Sequence, residues 1–270
     1  MKKFSEKVVI ITGSSMGIGK AVAKLLGQYR ARIILNARNE EKLLATKSEL
    51  SQFGYEVESF QGDVSNEDDC KKLIQGTIAR FGKIDVLINN AGMSMRGMVE
   101  DVTPEVMNSI FQINALGPFM LSQMALPHIK KTQGSIVFIS SLAGFRGLPF
   151  ISVYSSAKMS LTALADSLRV EHVDDNIHIG IVYVGYTEIE KGKTTIGADG
   201  SPISLDERTG YFNHSIDDVA KHIVGNISSR KKKTIIGVAG RMYAILTKYF
   251  PRLTEQLVIR SHRKMKKIYK

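Results

Sequence analysis

Along the chain, short runs of β-branched and aliphatic residues alternate with longer stretches in which apolar positions recur every three to four residues. KVVIIT (7–12), RIILN (32–36), DVLINN (85–90), GSIVFISS (134–141) and IHIGIVYV (177–184) read as strands buried on both faces, because their apolar runs are close to continuous. YEVESFQ (55–61) alternates with period two, and TIIGV (234–238) completes a set of seven. Helical patterns run from about Gly17 to Tyr29, from about Glu40, and from about Tyr154 to Val173. Thr103–Pro104 has the form of an N-cap and first-turn proline opening a long helical region. Ser65, with Asp68 three residues on, has the form of a capping box. Strands alternating with helices predict a doubly wound α/β fold, a central parallel sheet of about seven strands with helices on both faces. Residues 185–213 break the alternation. A connection this long inside a compact domain is expected to be a substrate loop or lid.

Length and composition narrow this picture. The 270 residues suit one domain, 1–270, and 43% hydrophobic with 23% charged residues is a folded rather than a disordered composition. The single cysteine, Cys70, leaves no intrachain disulfide, which fits a reducing compartment, and offers no thiolate cluster, so no metal is expected. The leading apolar run, Val8 to Ile11, is too short for a signal peptide, and no stretch reaches the 18 or so residues of a membrane span. A cytoplasmic location is the expectation.

Charge divides the chain. The net charge is +11, yet residues 225–270 hold 13 Lys/Arg and one acid, Glu255, leaving 24 basic and 25 acidic residues elsewhere. The excess sits in a basic C-terminal extension, 241–270, in which Met242, Ile245, Leu246 and Tyr249 share one helical stripe. Such a segment is either a solvated tail or one that touches an anionic membrane, at the inner surface, or an acidic carrier protein. Nucleic acid is not expected, because no binding module accompanies the charge.

TGSSMGIG (12–19) follows the first strand and opens the first helix, the place of a Rossmann dinucleotide turn. Glycines there allow a tight turn and close approach to a pyrophosphate, and the helix start favours the anion. The acid that selects NAD at the end of the second strand is replaced by Ala37, and Arg38 follows. A guanidinium suits a 2′-phosphate, so NADP(H) is the predicted cofactor; the plainer reading is a solvated Arg before an Asn39 helix cap. YSSAK (154–158) puts Tyr154 and Lys158 four apart, on one helix face. An ammonium near a phenol favours the phenolate and lowers a pKa that is ordinarily near 10, equipping the tyrosine for proton transfer.

Taken together, T-G-x-x-x-G-x-G at 12–19, Asp63, NNAG at 89–92, Asn114, Ser141 and Tyr-x-x-x-Lys at 154–158 resemble the short-chain dehydrogenase/reductase family over about residues 5–240. The extended, epimerase-containing branch has a different glycine spacing and fits poorly. The resemblance implies a reaction between a carbonyl and an alcohol, a small-molecule substrate, and a homodimer or homotetramer assembled through the helix after the fourth strand and the helix bearing Tyr154. It implies four catalytic residues. Tyr154 is the general acid/base and Lys158 also holds the nicotinamide ribose. Ser141, thirteen residues before the tyrosine, donates to the substrate oxygen, and Asn114 anchors a water relay. Cofactor contacts are implied at Gly13, Ser14, Ser15, Gly17, Ile18, Gly19, Arg38, Asp63 (the adenine amino group), Val64, Asn90, Ala91 and Gly92, with Asn89 beside them, and at Tyr154 and Lys158. After the sixth strand Val184 replaces the family's proline. Gly185 is kept, and Thr187 comes earlier than the usual threonine, whose slot holds Ile189.

No histidine–acid pair accompanies Ser141, so a hydrolase triad is not supported. Met93, Ser94, Met95, Arg96 and residues 145–150 are candidate pocket residues. Met93, Met95, Phe145, Leu148 and Phe150 suggest an apolar ketone or aldehyde, lipid- or steroid-like, unless they serve as core. A 3-oxoacyl-[acyl-carrier-protein] reductase shares the same motifs, and a non-catalytic dinucleotide-binding regulator is the reading from another class.

Overall fold

The computed structural model describes residues 2–189, 193–205 and 214–265. In chain order its strands are β1 (Val8–Thr12), β2 (Arg32–Ala37), β3 (Val57–Gln61), β4 (Val86–Asn89), β5 (Met95–Arg96), β6 (Ser135–Ser141), β7 (His178–Val184), β8 (Thr194–Gly197), β9 (Pro202–Ser204) and β10 (Lys233–Ile235). Its α-helices are α1 (Gly17–Gln28), α2 (Glu40–Gln52), α3 (Glu67–Phe81), α4 (Pro104–Phe111), α5 (Gly117–Thr132), α6 (Ser152–Glu171), α7 (Ile216–Ser228), α8 (Val238–Tyr249) and α9 (Pro251–Met265). Seven strands form one parallel sheet in the order β10-β7-β6-β4-β1-β2-β3. The strand order reverses between β1 and β4, the switch point at which a doubly wound sheet leaves a crevice at its C-terminal edge.

The period of two assigns each strand residue to a side. Val9, Ile11, Ile33, Leu35, Ile88 and Val137 point to the face covered by α1, α2 and α7, where Val22, Leu26, Leu43, Val219 and Ile223 pack. Val8, Ile10, Ile34, Leu87, Ile136 and Phe138 point to the face covered by α3, α5 and α6, where Leu73, Ile74, Leu121, Ile129, Leu161 and Leu168 pack. Both faces are covered, so the central strands are near-continuous apolar runs whose few polar residues, such as Asn36, Asn89, Ser135 and His178, are themselves buried. β3, which pairs only with β2, is part-exposed along its length and keeps an alternating sequence.

Caps fix where the helices start. Asn39 accepts from Lys42 N at 2.8 Å, Ser215 from Asp218 N at 3.1 Å, and Thr103 from Val106 N at 3.4 Å with Pro104 behind it. At α3 the capping box expected from Ser65 is corrected. Asn66 accepts from Asp69 N at 3.0 Å, while Ser65 gives its backbone N–H and its hydroxyl to Asp63 Oδ1. The aspartate turn just before the helix takes up Ser65 and moves the cap on by one residue.

The long connection after β7 is ordered where it is described. β8 and β9 form a hairpin, and β8 adds in parallel to β5, Met95 opposite Ile196. The base of the excursion is pinned by Thr187 bridging His214, with His214 N donating to Tyr186 O and Glu188 N to His214 O, each 3.0 Å. Residues 190–192 and 206–213 of the expected lid lie outside the described residues. Among the described residues no helix is long and apolar enough to cross a membrane.

Candidate functional site

The turn after β1 is held by its own hydroxyls. Thr12 Oγ1 accepts from Asn90 N and Ala91 N, both 3.0 Å, so one side chain ties the end of β1 to the end of β4. Asn90 Nδ2 returns to Thr12 O and Gly13 O at 2.9 and 3.0 Å. Ser14 is fully buried, its hydroxyl on Ile11 O at 2.8 Å and accepting from Asn36 N at 3.0 Å. Ser15 O accepts from Thr46 Oγ1 at 2.9 Å. The side chains of Ser14 and Asn90 therefore build the turn from within. Gly13 and Gly17 have φ of +62° and +56°, and a Cβ at Gly13 would lie 2.8 Å from Ala91 Cα. A Cβ at Gly19 would meet Gly13 O at 2.4 Å, so that glycine lets α1 close onto the turn. α1 begins at Met16 without a side-chain cap and without an acid in its first turn, whereas α2, α3, α4 and α7 have both. Ile18 packs beneath against the core. A helix start left in this state favours an anion.

At the end of β2 the crevice carries Arg38 with Asp63 beside it. Arg38 has a side chain 60% exposed, with one nitrogen 3.5 Å from Asp63 Oδ2. Ala37 is buried, so no carboxylate stands where a ribose hydroxyl would be selected. Asp63 also accepts from Ser65, and its own N–H goes to Asp69 Oδ2 at 3.0 Å. Val64 packs against Gly117, whose added Cβ would lie 2.7 Å from Val64 O. Asn36, between these parts, bonds Phe60 O and Gly62 O, but its buried Oδ1 has no partner among the described residues; neither has that of Asn89, which gives its Nδ2 to Ser122 Oγ.

The four expected catalytic residues come from three elements that meet beyond β4. Asn114 sits in a π-turn, Gln112–Leu116, inserted between α4 and α5. The extra residue of that turn swings a fully buried side chain to Met93 O (2.8 Å), Ile110 O (2.9 Å) and Met93 N (3.3 Å). Lys158, on α6, is 4% exposed and donates to Ile139 O at 3.0 Å. Burial lowers its pKa from 10.5 to about 8. Its Nζ lies 5.8 Å from the centroid of the Tyr154 ring. A Cβ added at Gly92 would stand 2.9 Å from Asn114 Oδ1 and 3.3 Å from Lys158 Nζ, so amide and ammonium converge on that glycine. Ser141 ends β6, accepting from Ala143 N at 3.2 Å. Its neighbour Ser140 is buried and spent on Lys158 O at 3.2 Å. Of the two serines, only Ser141 is partly open.

The apolar candidates divide. Met95 is fully buried in a cluster with Val106, Ile110, Val153 and Ala157, onto which Met93, Tyr154 and Ile196 pack. Phe145 stacks on Tyr183 at 4.0 Å, and Phe150 on His262 of α9 at 5.1 Å. Leu148 N donates to Ser155 Oγ at 3.3 Å. After β7, Thr187 is 9% exposed and gives its hydroxyl to Gly185 O at 3.4 Å, closing the turn that replaces the proline turn. Sequence reasoning missed Thr12 and Asn36. The signal for Thr12 was present, a hydroxyl directly before the first glycine.

This sheet order, with a glycine turn at the switch point, defines a dinucleotide-binding α/β fold. Residues 7–197 match the family model for short chain dehydrogenases. The chain is 30% identical over 263 residues to an uncharacterized oxidoreductase of Bacillus subtilis (strain 168), covering 96% of this chain and 73% of that one. It is 38% identical over 237 residues to 11-beta-hydroxysteroid dehydrogenase-like 4A of Arabidopsis thaliana, covering 85% and 76%. Among solved structures, a metagenomic short-chain oxidoreductase in complex with NADP superposes with a TM-score of 0.72 at 27% identity, over 86% of this chain and 96% of that one. The chain belongs to the short-chain dehydrogenase/reductase family of oxidoreductases.

Proposed function

We propose that this protein is an NADP(H)-dependent oxidoreductase that interconverts a carbonyl and an alcohol, reducing an apolar ketone or aldehyde of lipid or steroid type. The observation that carries the reading is the convergence of Lys158 and Asn114 on Gly92, with the Tyr154 ring 5.8 Å from Lys158 Nζ and Ser141 at the end of the neighbouring strand. NADPH, when bound, supplies the hydride. The glycine turn and the start of α1 receive its pyrophosphate. The exposed Arg38 guanidinium would hold the 2′-phosphate, with no carboxylate at Ala37 to repel it. Asp63 and the Asn90–Gly92 segment border the adenosine, and Gly185 with Thr187 the nicotinamide.

Ser141 donates a hydrogen bond to the substrate carbonyl oxygen and Tyr154 gives it a proton; in the reverse direction Tyr154 takes the proton from the alcohol. Lys158 stabilises the phenolate left behind and holds the nicotinamide ribose, while Asn114 holds the water that leads the proton outward. Met93 and Ile196, partly buried and packed with Tyr154 on the cluster of the fully buried Met95, support an apolar substrate. The named relatives, a hydroxysteroid dehydrogenase-like protein and an NADP complex, support the substrate type and the cofactor. Exposed Leu116 and Phe119 around the start of α5 and Met159 on α6 support self-association through those helices.

The test is a panel of carbonyls, with steroid ketones, long-chain aldehydes and a 3-oxoacyl thioester, assayed with NADPH and separately with NADH, for the wild type and Arg38→Ser. NADPH is expected to be preferred at least tenfold, and the preference to collapse in Arg38→Ser. Tighter binding of NADH by the wild type would overturn the cofactor assignment.

A further inference from the structure

The basic C-terminal extension is built, up to Met265, as two helices. α8 lies beside β10 and the turn that follows β6, and α9 contacts Arg146 and Phe150 of the loop beyond that turn. α8 turns Gly240 inward, against Leu142. Its opposite stripe, Val238, Met242, Ile245 and Tyr249, is 54–67% exposed. At the turn into α9, Phe250 is 56% exposed, and Leu253 and Leu257 continue the apolar surface along α9. α9 buries Thr254 and packs His262 on Phe150. An apolar ridge thus runs over two helices, and exposed Arg241, Lys248, Arg252, Arg260 and Arg263 stand among its residues.

Beside the ridge lies a cleft of about 500 Å³ between α8 and β10, whose lining includes Phe145, Ile235, Tyr249, Lys233, Arg241 and Lys248. Three of these are cations and none is an acid. Lys233 rests 4.4 Å from the Phe145 ring centroid and 4.8 Å from that of Tyr183. The acid that acts on it electrostatically, Asp166, is itself paired with Arg169. Glu255, the one acid in residues 225–270, is drawn toward Arg146 at 3.8 Å.

We propose that α8 and α9 seat this protein on an anionic lipid surface, with Met242, Ile245, Tyr249, Phe250 and Leu253 entering the interface and an anionic headgroup held in the cleft by Lys233, Arg241 and Lys248. Charge complementarity selects this occupant. A second copy would bring like-charged ridges face to face, whereas a bilayer bearing negative headgroups answers both the apolar ridge and its cations. The seat adjoins the reaction site. Arg146 donates to Pro251 O at 3.2 Å and Phe150 stacks on α9, so the docked helices hold the loop that joins Ser141 to α6.

The experiment is co-sedimentation of the full chain with phosphatidylcholine vesicles and with vesicles about one-third phosphatidylglycerol, for the wild type, Ile245→Asp/Tyr249→Asp and Arg241→Glu/Lys248→Glu. Circular dichroism and thermal unfolding check that each variant is folded, and the readout needs no turnover. The wild type is expected to partition onto the anionic vesicles roughly a hundredfold more strongly than onto the zwitterionic ones, and less in high salt. Each double variant is expected to lose that preference by tenfold or more. Wild-type protein that stays in the supernatant with anionic vesicles overturns the proposal, as does binding unchanged in both folded variants. Capture of an acidic carrier protein without vesicle binding also overturns it, in favour of a protein partner. So does a fall in oligomeric state in Ile245→Asp/Tyr249→Asp without vesicle binding by the wild type, in favour of a second copy.

Discussion

Replacing Lys158 by methionine is expected to kill the enzyme and stabilise the protein. The ammonium is 4% exposed, its hydrogen bond goes to the neutral carbonyl of Ile139, and burial takes its pKa from 10.5 to about 8. That fall corresponds to a folding cost of roughly 3 kcal/mol when the amine is charged. Methionine fills a similar volume without the charge, and loses the bond to Ile139 O at about 1 kcal/mol. The net gain at pH 7, without cofactor, is about 2 kcal/mol, or roughly 5 °C in Tm for a chain of this size. The sign fixes the pH dependence. The folded pKa lies below the unfolded one, so between about 8 and 10.5 the unfolded chain binds more protons and wild-type stability rises with pH. The cost is fully present below pH 8. The stability difference between Lys158→Met and wild type should therefore shrink by about 2 kcal/mol between pH 7 and 9.5. Urea unfolding of the cofactor-free proteins at several pH values measures it. A variant less stable than wild type at pH 7, with a difference that does not move with pH, would show that this ammonium carries no burial cost.

Two further substitutions probe the site's geometry. Gly92→Ala drives a methyl to 2.9 Å from Oδ1 of Asn114, whose amide is locked by Nδ2 donating to Met93 O and Ile110 O and Oδ1 accepting from Met93 N, and to 3.3 Å from Lys158 Nζ. Turnover is expected to fall at least tenfold with a stability loss of about 1–2 kcal/mol, read from steady-state kinetics and thermal unfolding. The paired serines should separate: Ser141→Ala loses about a hundredfold in kcat with stability unchanged, whereas Ser140→Ala loses about 1 kcal/mol of stability through its bond to Lys158 O and keeps most of its turnover.

The sequence pattern carries the fold wherever a local rule acts alone. Strands buried on both faces read as near-continuous apolar runs, and Thr103–Pro104 starts α4 as its chemistry demands. The motif residues were legible because each is a side chain at a fixed distance from a strand end. What the pattern hides is set by contacts between distant segments. The π-turn that aims Asn114 leaves no mark on a 3.6-residue period. The β5–β8–β9 sheet depends on Met95 meeting Ile196 a hundred residues on. By resemblance Ser14 is a cofactor contact of the glycine turn and Asn90 one on the adenosine side, and the folded chain gives both side chains to the turn itself. The cap of α3 moves from Ser65 to Asn66 because Asp63, which a capping-box pattern does not include, takes Ser65 first.

Tyr154→Phe tests the proton transfer most directly. The ring and its packing against Met93 and Met95 are kept and only the hydroxyl is removed. NADPH affinity, measured by fluorescence titration, should stay within a few-fold of wild type, while carbonyl reduction falls by a factor on the order of a thousand or more. A Tyr154→Phe enzyme that binds NADPH and still turns over at near the wild-type rate would contradict the role of Tyr154 as the proton donor.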